Sequence, residues 1–411
     1  MDLKSGKLYW NETYHEEMKY PILEEDIMCD VCIVGSGSSG AHCAYFFAET
    51  GLNVVLVDKR DLSTGSTVAN TGLLQYSNDK SLTSLIHSFG EEAGTRHVQL
   101  CLEAIRTLEK KVVPSLADDS DFKIRKSLYY ASNPEDVSML KEEYQNLQNR
   151  NFPVEYYSEN EIGKHFSFFK AGALVTGNDA EINPYKHAHL LLKKAYQQGV
   201  RIFSNTKING KILKDDHTEL ITDTGHSIRA HHVIFATGYE AQEEVNDPNA
   251  MILSSYAIAT NQIANLAKWD EGMMIWETAR PYLYARKTVD NRIIIGGLDE
   301  RITYSEKRDS KIIHKRDELL SQLVCLFPEL EGVVQADYYW GAFFGESHDG
   351  LPTIGIYPNY PNCYFLMGYG GNGTVYSVIL SQIIRDLITK NRHPDSNLYL
   401  KERSLMKGTV G

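Results

Sequence analysis

The first clear pattern of hydrophobic and polar positions lies between residues 31 and 58. Four apolar residues, 31–34, precede a glycine-rich turn, and a stretch with helical spacing then runs to about Glu49. Gly51 ends that stretch, and a second predicted strand, from Asn53 to Val57 and apolar after its first residue, leads to Asp58. Short, fully apolar runs are typical of parallel strands that are buried on both faces. The segment therefore predicts a strand–helix–strand unit.

The same order of elements returns later in the chain. The pattern predicts a helix over 184–198, a strand over 200–203 and another over 232–235. A strand at 363–367 is followed by an apolar helix that runs to about residue 388. Between these regions, short apolar runs separated by turns predict an antiparallel sheet and one more helix. They lie at 254–262, 273–276, 282–287 and 292–297, with the helix near 311–325.

The turn after the first strand reads Gly35-Ser-Gly37-Ser-Ser-Gly40, and Asp58 follows 18 residues after the last glycine. Gly35 permits a tight turn, Gly37 lets a pyrophosphate approach the backbone, and Gly40 lets the helix pack closely on the strand. The helix N-terminus offers free N–H groups to phosphate. Asp58 can accept hydrogen bonds from ribose hydroxyls and disfavours the 2′-phosphate of NADP. The motif predicts a dinucleotide site but does not separate NAD from FAD.

Composition narrows the class of protein. The 411 residues are 42% hydrophobic and 23% charged, which indicates a globular chain of two or three domains and excludes a disordered or fibrous one. With 42 basic and 54 acidic residues the net charge is −12, so we expect no nucleic-acid partner. Six scattered cysteines and a polar N-terminus predict a cytoplasmic protein. We expect no membrane insertion, because no apolar run approaches 20 residues, and we assign no metal.

Three further segments bear on the choice between NAD and FAD. The loop 63–75 is rich in glycine and hydroxyls and can place N–H groups against a phosphate or a flavin ring. A buried strand ends in Ala236-Thr237-Gly238, and the glycine loop after residue 367 precedes the last helix. A plain NAD domain would instead continue through a second helix soon after Asp58. These segments therefore favour FAD.

With these motifs in this order, the chain resembles the D-amino-acid-oxidase-type family of FAD-dependent oxidoreductases, which includes glycine and sarcosine oxidases and γ-glutamylputrescine oxidase. The segment from Asp349 to Gly355, Asp-Gly-Leu-Pro-Thr-Ile-Gly, adds to the likeness, which covers about residues 8–390. The resemblance implies an α/β fold. It has a Rossmann-like FAD-binding domain of the GR2 type and a second α+β substrate domain built on an antiparallel sheet. The cofactor-binding residues that it implies are Gly35, Gly37, Ser38, Ser39, Gly40, Asp58, Lys59, Gly65, Ser66, Thr67, Asn70, Thr71, Gly72, Leu73, Ala236, Thr237, Gly238, Gly368, Gly370, Gly371, Asn372, Gly373 and Thr374.

Two departures from the family bear on how FAD is held. Covalent members attach the flavin through a cysteine just before the Asp-Gly segment, or through a histidine in the Gly-Ser-Thr loop. Those positions hold Ala342 and Ala69 here, so we expect non-covalent FAD. Some relatives append a Rieske iron–sulfur domain. We expect no such domain here, because residues 391–411 contain no cysteine and a single histidine, His393, as possible cluster ligands.

Candidate substrate anchors are less marked, because a flavin accepts hydride without a strong protein base. With period two, Tyr282, Tyr284 and Arg286 share one strand face, where the arginine can hold a carboxylate bidentately and the phenols can donate to it. Tyr369, in the flavin loop, can cover the ring or touch the substrate. The alternative for Tyr282, Tyr284 and Arg286 is a polar strand face exposed to solvent. The alternative for Tyr369 is a side chain that only packs against its neighbours.

His348 is the fourth candidate for a catalytic role, as a base or an anchor that titrates near neutral pH. Its alternative is a loop histidine that bonds to backbone. Many amine-oxidising members carry an arginine shortly after the equivalent of Trp340. None lies between Trp340 and Asp349 here, which counts against a simple amino acid as substrate.

The leading hypothesis is FAD-dependent oxidation of a small molecule, an amine or amino acid, to an imine, with electrons passed to oxygen or another acceptor. Alternatives are oxidation of a 2-hydroxy acid or a glycerol-phosphate-type alcohol with His348 as base, a flavin-binding redox sensor without turnover, and NAD binding without flavin. Substrate, acceptor and oligomeric state stay open. The predicted domains are an arm at 1–27, an FAD-binding domain at 28–80, 165–245 and 335–390, a substrate domain at 81–164 and 246–334, and a tail at 391–411.

Overall fold

The computed structural model describes residues 1–15, 18–77, 79–264, 268–269 and 272–403. Two sheets and a layer of helices make up this part of the chain. The strands are β1 Lys4–Lys7, β2 Ile27–Val34, β3 Val54–Val57, β4 Leu73–Leu74, β5 Lys123–Tyr130, β6 Val154–Ser158, β7 Gly172–Glu181, β8 Arg201–Phe203, β9 Ile208–Leu213, β10 Thr218–Thr222, β11 Ser227–Phe235, β12 Ala250–Thr260, β13 Met274–Glu277, β14 Leu283–Lys287, β15 Ile293–Glu300, β16 Ala336–Ser347, β17 Thr353–Gly355 and β18 Cys363–Met367.

The smaller sheet contains the predicted strand–helix–strand unit. Strands β18, β11, β2, β3 and β8 lie side by side and parallel, and β17 pairs antiparallel with β18 at one edge. The β9–β10 meander adds to β11. Ile33 and Val55 point to opposite sides of the sheet, into two different hydrophobic cores, and both are fully buried. Coverage of both faces explains why these strands are apolar throughout.

The helices are α1 Ser38–Ala48, α2 Leu82–Phe89, α3 Glu91–Thr107, α4 Val137–Asn149, α5 Glu159–His165, α6 Pro184–Gln197, α7 Gln242–Val245, α8 Ser305–Asp309, α9 Ile312–Leu326 and α10 Gly373–Lys390. Helix α1 lies against α6 and α10, and α10 also contacts α3. Helix α1 ends before Gly51, whose φ of +77° lies in the left-handed region that glycine adopts readily. Within the described ranges, no helix combines the length and the apolar character needed to cross a membrane.

The larger sheet runs in the order β1, β16, β12, β15, β14, β13, β5, β7, β4, with β6 paired to β7. Its pairs are antiparallel except for β13 with β5. Helix α9 covers one face, where Leu319 and Leu323 share a buried cluster with Ile258 and Ile295. The predicted fold class is confirmed by this combination of a parallel sheet and a mostly antiparallel one.

Three strands belong to a different sheet from the one that the predicted domain ranges imply. Strands β4, β7 and β16 fall in the ranges 28–80, 165–245 and 335–390, which were expected to form the FAD-binding domain. The structure pairs all three within the larger sheet instead. Strand pairing depends on long-range contacts, which a local apolar pattern does not encode. The division into two domains stays a prediction, and residues 404–411 of the predicted tail lie outside the described residues.

Candidate active site

A cavity of about 440 Å³ lies between the two sheets. At one end its wall is formed where β2, β3 and β11 stop, by Gly35, Asp58 and Ala236. At the other end the wall is formed by residues of the larger sheet. The carboxyl ends of parallel strands are the usual place for a dinucleotide, so the cavity lies where the glycine motif predicts a cofactor. We call the two ends the Asp58 end and the aromatic end.

The three glycines of the first motif each have a steric reason. Gly35 has a φ of +107°, and a Cβ there would lie 2.5 Å from the carbonyl oxygen of Ala236. A Cβ on Gly40 would lie 1.8 Å from the carbonyl oxygen of Gly35, so close helix–strand packing requires glycine. Gly37 precedes α1, and a Cβ there would lie 3.0 Å from Thr67 Oγ1 and reduce the space in the cavity. These contacts agree with the roles predicted for the motif.

Asp58 is held at the wall of the cavity by three hydrogen bonds. Its Oδ2 accepts from the backbone N–H of Ser36 at 2.7 Å and from the Ser36 hydroxyl at 2.6 Å, and its Oδ1 accepts from the N–H of Arg60 at 2.9 Å. Burial raises the pKa of Asp58. A carboxylate has about four acceptor positions, so capacity for a ribose hydroxyl remains. Ser36 was not predicted, because it occupies a variable position of the glycine motif.

Three of the positive charges at the Asp58 end, those of Lys59, Arg60 and Lys211, are paired with protein carboxylates. Lys59 Nζ and Arg60 Nη2 donate to Glu240 Oε1 at 3.0 and 2.6 Å. Lys211 also lines this end and forms an ion pair with Glu244. Lys59 was predicted to bind the cofactor. It does line the cavity, but its ammonium group donates a hydrogen bond to Glu240.

The loop 63–73 is fixed from several sides. Thr67 Oγ1 accepts from the N–H of Ser38 at 2.9 Å, which joins the loop to the start of α1. Two indole N–H groups hold its backbone: Trp10 donates to the carbonyl of Asn70 at 2.6 Å, and Trp340 donates to that of Ala69 at 3.0 Å. The loop is therefore a preformed part of the wall.

The glycine loop after β18 is fixed in a similar way. The N–H of Gly371 donates to Asp79 Oδ2 at 2.6 Å. Asn372 is buried and exchanges hydrogen bonds with the backbone of Gln75, so its side chain joins this loop to the strand segment at β4. The hydroxyl of Tyr369 donates to the carbonyl of Gly238 at 3.0 Å.

Several polar atoms in the wall have no protein partner among the described residues. Ser38 Oγ, Ser66 Oγ and Gln75 Nε2 are all buried and unpaired, and all three residues line the cavity. Buried polar groups are normally hydrogen-bonded, so these atoms indicate a polar ligand that completes them. The donors and acceptors beside the glycine motif fit FAD.

The structure brings most of the predicted cofactor residues to this cavity. All of them line it except Gly40, Gly72 and Asn372. Gly40 serves the packing already described. A Cβ on Gly72 would lie 2.1 Å from the carbonyl oxygen of Ile182, so this glycine allows a close contact between two backbone segments.

Aromatic and acidic side chains surround the aromatic end. The ring of Trp276 stacks on Tyr129 with centroids 3.7 Å apart, and the rings of Tyr282 and Tyr284 lie 5.8 Å apart. Burial raises the pKa of both of these tyrosines, so both remain protonated donors. The wall of this end comprises Gln75, Asp79, Ser255, Trp276, Tyr282, Tyr284, Asp299, Ala342, Phe343, Phe344 and Tyr369.

Of the four predicted catalytic residues, Tyr284 and Tyr369 line the cavity, whereas Arg286 and His348 do not. Arg286 is buried, and it donates to the carbonyls of Thr71 at 2.7 Å and Ile182 at 2.8 Å. It does share a strand face with Tyr284, but its guanidinium reaches the backbone beneath the loop 63–73. His348 is an exposed loop residue. The structure therefore does not place either group where a substrate in the cavity would meet it.

Sequence reasoning missed Asp79, Asp299 and the indole of Trp276 in this site. Asp79 and Asp299 belong to no local sequence motif, and Asp299 follows Leu298, a residue with a φ of +56° near the end of β15. Trp276 sits in a short apolar run that reads as an ordinary core strand. Their shared position at one cavity becomes visible only when the strands are paired.

Comparison with known proteins agrees with this geometry. A family model described as FAD dependent oxidoreductase (DAO) matches residues 30–387. The chain is 24% identical to the putative Rieske 2Fe-2S iron-sulfur protein YhfW of Bacillus subtilis (strain 168), over 97% of this chain and 76% of that protein. It is 23% identical to gamma-glutamylputrescine oxidoreductase of Escherichia coli (strain K12), over 92% of this chain and 87% of that protein.

The fold is also similar to that of a solved relative. The crystal structure of glycine oxidase from Geobacillus kaustophilus superposes with a TM-score of 0.74 at 19% identity, covering 89% of this chain and 96% of that one. The family match extends over most of the chain and includes all the glycine segments that line the cavity. The chain belongs to the DAO family of FAD-dependent oxidoreductases, and its cofactor is FAD.

Proposed function

We propose that the protein oxidises an amine or amino acid to an imine, which water then hydrolyses. When bound, FAD supplies the two-electron acceptor for this oxidation and takes up a hydride at its N5 atom. Either oxygen or another acceptor then receives the electrons. The substrate is a small molecule that enters the aromatic end of the cavity.

The observation that carries the proposal is the continuity of the cavity. One space runs from the cofactor residues around Asp58 to an end with walls formed by Trp276, Tyr282 and Tyr284. Small-molecule sites are typically concave and mostly apolar, with a few polar groups that orient the ligand. The buried side chains of Trp276 and Tyr282 would limit the access of water to the carbon–nitrogen bond that reacts, and the tyrosine hydroxyls can orient the substrate beside the cofactor.

Amine oxidation suits the groups that line the wall. An ammonium group must first lose a proton to leave a free electron pair on nitrogen, and water can take that proton without a dedicated base. An alcohol holds its proton far more tightly near neutral pH and needs a positioned base. His348, the base expected for an alcohol substrate, is exposed and outside the cavity, and no histidine occurs among the described wall residues. This favours an amine over a 2-hydroxy acid or a glycerol phosphate.

We also propose that FAD is bound without a covalent bond. Ala69 and Ala342, at the positions where covalent relatives carry the attaching histidine or cysteine, both line the cavity. Neither cysteine nor histidine occurs among the wall residues that the structure describes. Hydrogen bonds and packing would hold the cofactor.

An anaerobic screen tests the proposed function. Purified holoprotein is mixed with amines, D- and L-amino acids and 2-hydroxy acids, and the flavin absorbance is followed for bleaching. We expect bleaching by amines or amino acids. Bleaching by hydroxy acids alone would overturn the proposal, and no bleaching by any compound would favour a redox sensor without turnover.

A further inference from the structure

The aromatic end of the cavity carries negative charge that the cofactor residues do not use. Asp79 and Asp299 line the wall, and Glu346 lies within electrostatic range of both. Burial, reinforced by the charge of Asp79, raises the pKa of Asp299 to about 6. Burial, together with the charges of Asp79 and Asp299, raises the pKa of Glu346 to about 7. Three carboxyl groups thus lie close together in a partly desolvated place.

Asp299 has an oxygen without a partner. One side of its carboxylate interacts with Ser255, whereas Oδ1 is shielded from solvent and accepts no hydrogen bond from the described residues. By contrast, Asp79 accepts from the N–H of Gly371, and the Tyr282 hydroxyl lies against it. A buried carboxylate oxygen without a donor is costly unless a ligand completes it. The missing partner is a hydrogen-bond donor, and a cationic donor matches the local charge.

The cations of the wall lie at the opposite end. Among the described lining residues the basic side chains are Lys59, Arg60, Lys207 and Lys211, which flank Asp58 or the β9 strand of the smaller sheet. The larger sheet contributes no lysine or arginine to the described wall. A substrate carboxylate at the aromatic end would therefore meet two wall acids, Asp79 and Asp299, and no wall cation.

Two arginines near the aromatic end, Arg280 and Arg286, donate hydrogen bonds to backbone carbonyls. Arg280 stacks on the ring of Tyr282 at 4.9 Å, and its Nη1 donates to three backbone carbonyls, those of Glu277, Thr278 and Ala279. Arg286 donates to two backbone carbonyls. The charge of Arg280 lowers the pKa of both Asp299 and Glu346, and that of Arg301 lowers the pKa of Glu346, which in part offsets the effect of burial. Neither arginine lines the cavity. The charged groups that line the aromatic end are therefore acidic, and they attract a positively charged ligand group.

The aromatic rings add to that preference. Trp276, Tyr282 and Tyr284 line the same end of the cavity as Asp299, and both tyrosines lie within electrostatic range of its carboxylate. Aromatic faces attract ammonium groups and also pack against a hydrocarbon stem. We propose that the aromatic end binds a second ammonium group of the substrate, so that the protein acts on α,ω-diamines or longer polyamines in preference to amino acids. This inference rests on the proposed amine oxidation.

The reaction stays balanced with such a substrate. The reacting primary amine loses one proton from nitrogen and a hydride from the adjacent carbon, FAD accepts the two electrons, and the resulting imine hydrolyses to an aldehyde and ammonia. The distal ammonium group keeps its proton and is not changed. Asp299 and Asp79 act as binding residues for that group.

Three probes with the same five-carbon stem test the inference: 1,5-diaminopentane, 1-aminopentane and 5-aminopentanoate. Each is titrated anaerobically against holoprotein while flavin bleaching and the melting temperature are followed. A charge-assisted hydrogen bond corresponds to about 10- to 100-fold in affinity, so we expect the diamine to act at concentrations lower by about that factor. Equal or better action of 5-aminopentanoate or 1-aminopentane would overturn the inference while leaving amine oxidation intact.

The two proposals fail in different ways. If none of the probes bleaches the flavin, the proposed oxidation of these amines is wrong. The melting temperature then still reports binding, because a ligand that binds the folded state stabilises it. A larger rise with the diamine than with the other two probes would support the acidic subsite, and no difference would overturn it.

Substitutions of the acidic residues test whether they cause the preference for the diamine. Asp299→Asn removes the charge with little change in shape, and Glu346→Gln does the same at a second position in case the first variant loses FAD. We expect each to lower the ratio of kcat/KM for diamine over monoamine, by about tenfold for Asp299→Asn. Asp317→Asn is the matched control, because Asp317 is exposed on α9 and pairs with its neighbour Arg316. Unchanged ratios in both variants would contradict the subsite.

Discussion

Replacement of Arg286 by methionine separates a positioning role from a substrate-binding one. The guanidinium is buried and donates to the carbonyls of Thr71 and Ile182 at 2.7 and 2.8 Å, and its Nη1 lies 3.4 Å from Glu181. Methionine keeps much of the apolar stem but removes the arginine donors from the buried carbonyl of Ile182 and the partly buried carbonyl of Thr71. At about 1–3 kcal/mol for each of the two groups, the free energy of unfolding should fall by about 2–6 kcal/mol. Arg125 still pairs with Glu181, which limits the loss.

The assay for this variant combines urea denaturation, flavin content and steady-state kinetics. We expect lower stability and weaker retention of FAD, because the loop that contains Thr71 lines the cofactor cavity. Arg106→Met, at an exposed position of α3, is the control for loss of one charge. A variant with unchanged stability and full flavin content, but a raised KM for an anionic substrate, would refute this reasoning and restore Arg286 as a substrate anchor.

Three further outcomes follow from the structure. Gly40→Ala should abolish FAD binding and lower the melting temperature, because its Cβ would lie 1.8 Å from the Gly35 carbonyl oxygen, whereas Gly210→Ala, with contacts no closer than 3.7 Å, should be mild. Acid precipitation should release all of the flavin into the supernatant, and flavin that stays with the protein would contradict non-covalent binding. The preference for diamine over monoamine should grow between about pH 5 and pH 8, measured as the ratio of kcat/KM. Asp299 and Glu346, with pKa values of about 6 and 7, lose protons and gain charge in that interval, and a flat ratio would count against them.

The cofactor end of the protein was predictable because its signals are local. The first unit was predicted at 31–58, and the structure has β2 ending at Val34, α1 at Ser38–Ala48 and β3 at Val54–Val57. The steric need of Gly40 acts over five residues, because its Cβ would meet the carbonyl of Gly35, so local spacing encodes it. The contact of Gly35 with Ala236 spans 201 positions and is not encoded in that way. The resemblance to a family added the later glycine segments in their correct order.

The substrate end was not predictable in the same way. Period two correctly placed Tyr284 and Arg286 on one strand face, but the side-chain length of Arg286 takes its charged group past the cavity to the backbone of Thr71. Asp79 and Asp299 are 220 positions apart in the chain, and they come within electrostatic range because the fold brings β15 and the segment before α2 to the same cavity wall. Such convergence depends on strand pairing, for which a single sequence carries no local signal.

A single-turnover mass balance tests the central claim, that an amine is the electron donor, most directly. Holoprotein is reduced anaerobically with a limiting amount of 1,5-diaminopentane, and the reduced flavin, ammonia and aldehyde are quantified. Oxidation to an imine followed by hydrolysis predicts one ammonia and one aldehyde for each flavin reduced. Flavin reduction without ammonia, or reduction by hydroxy acids but by no amine, would contradict the account.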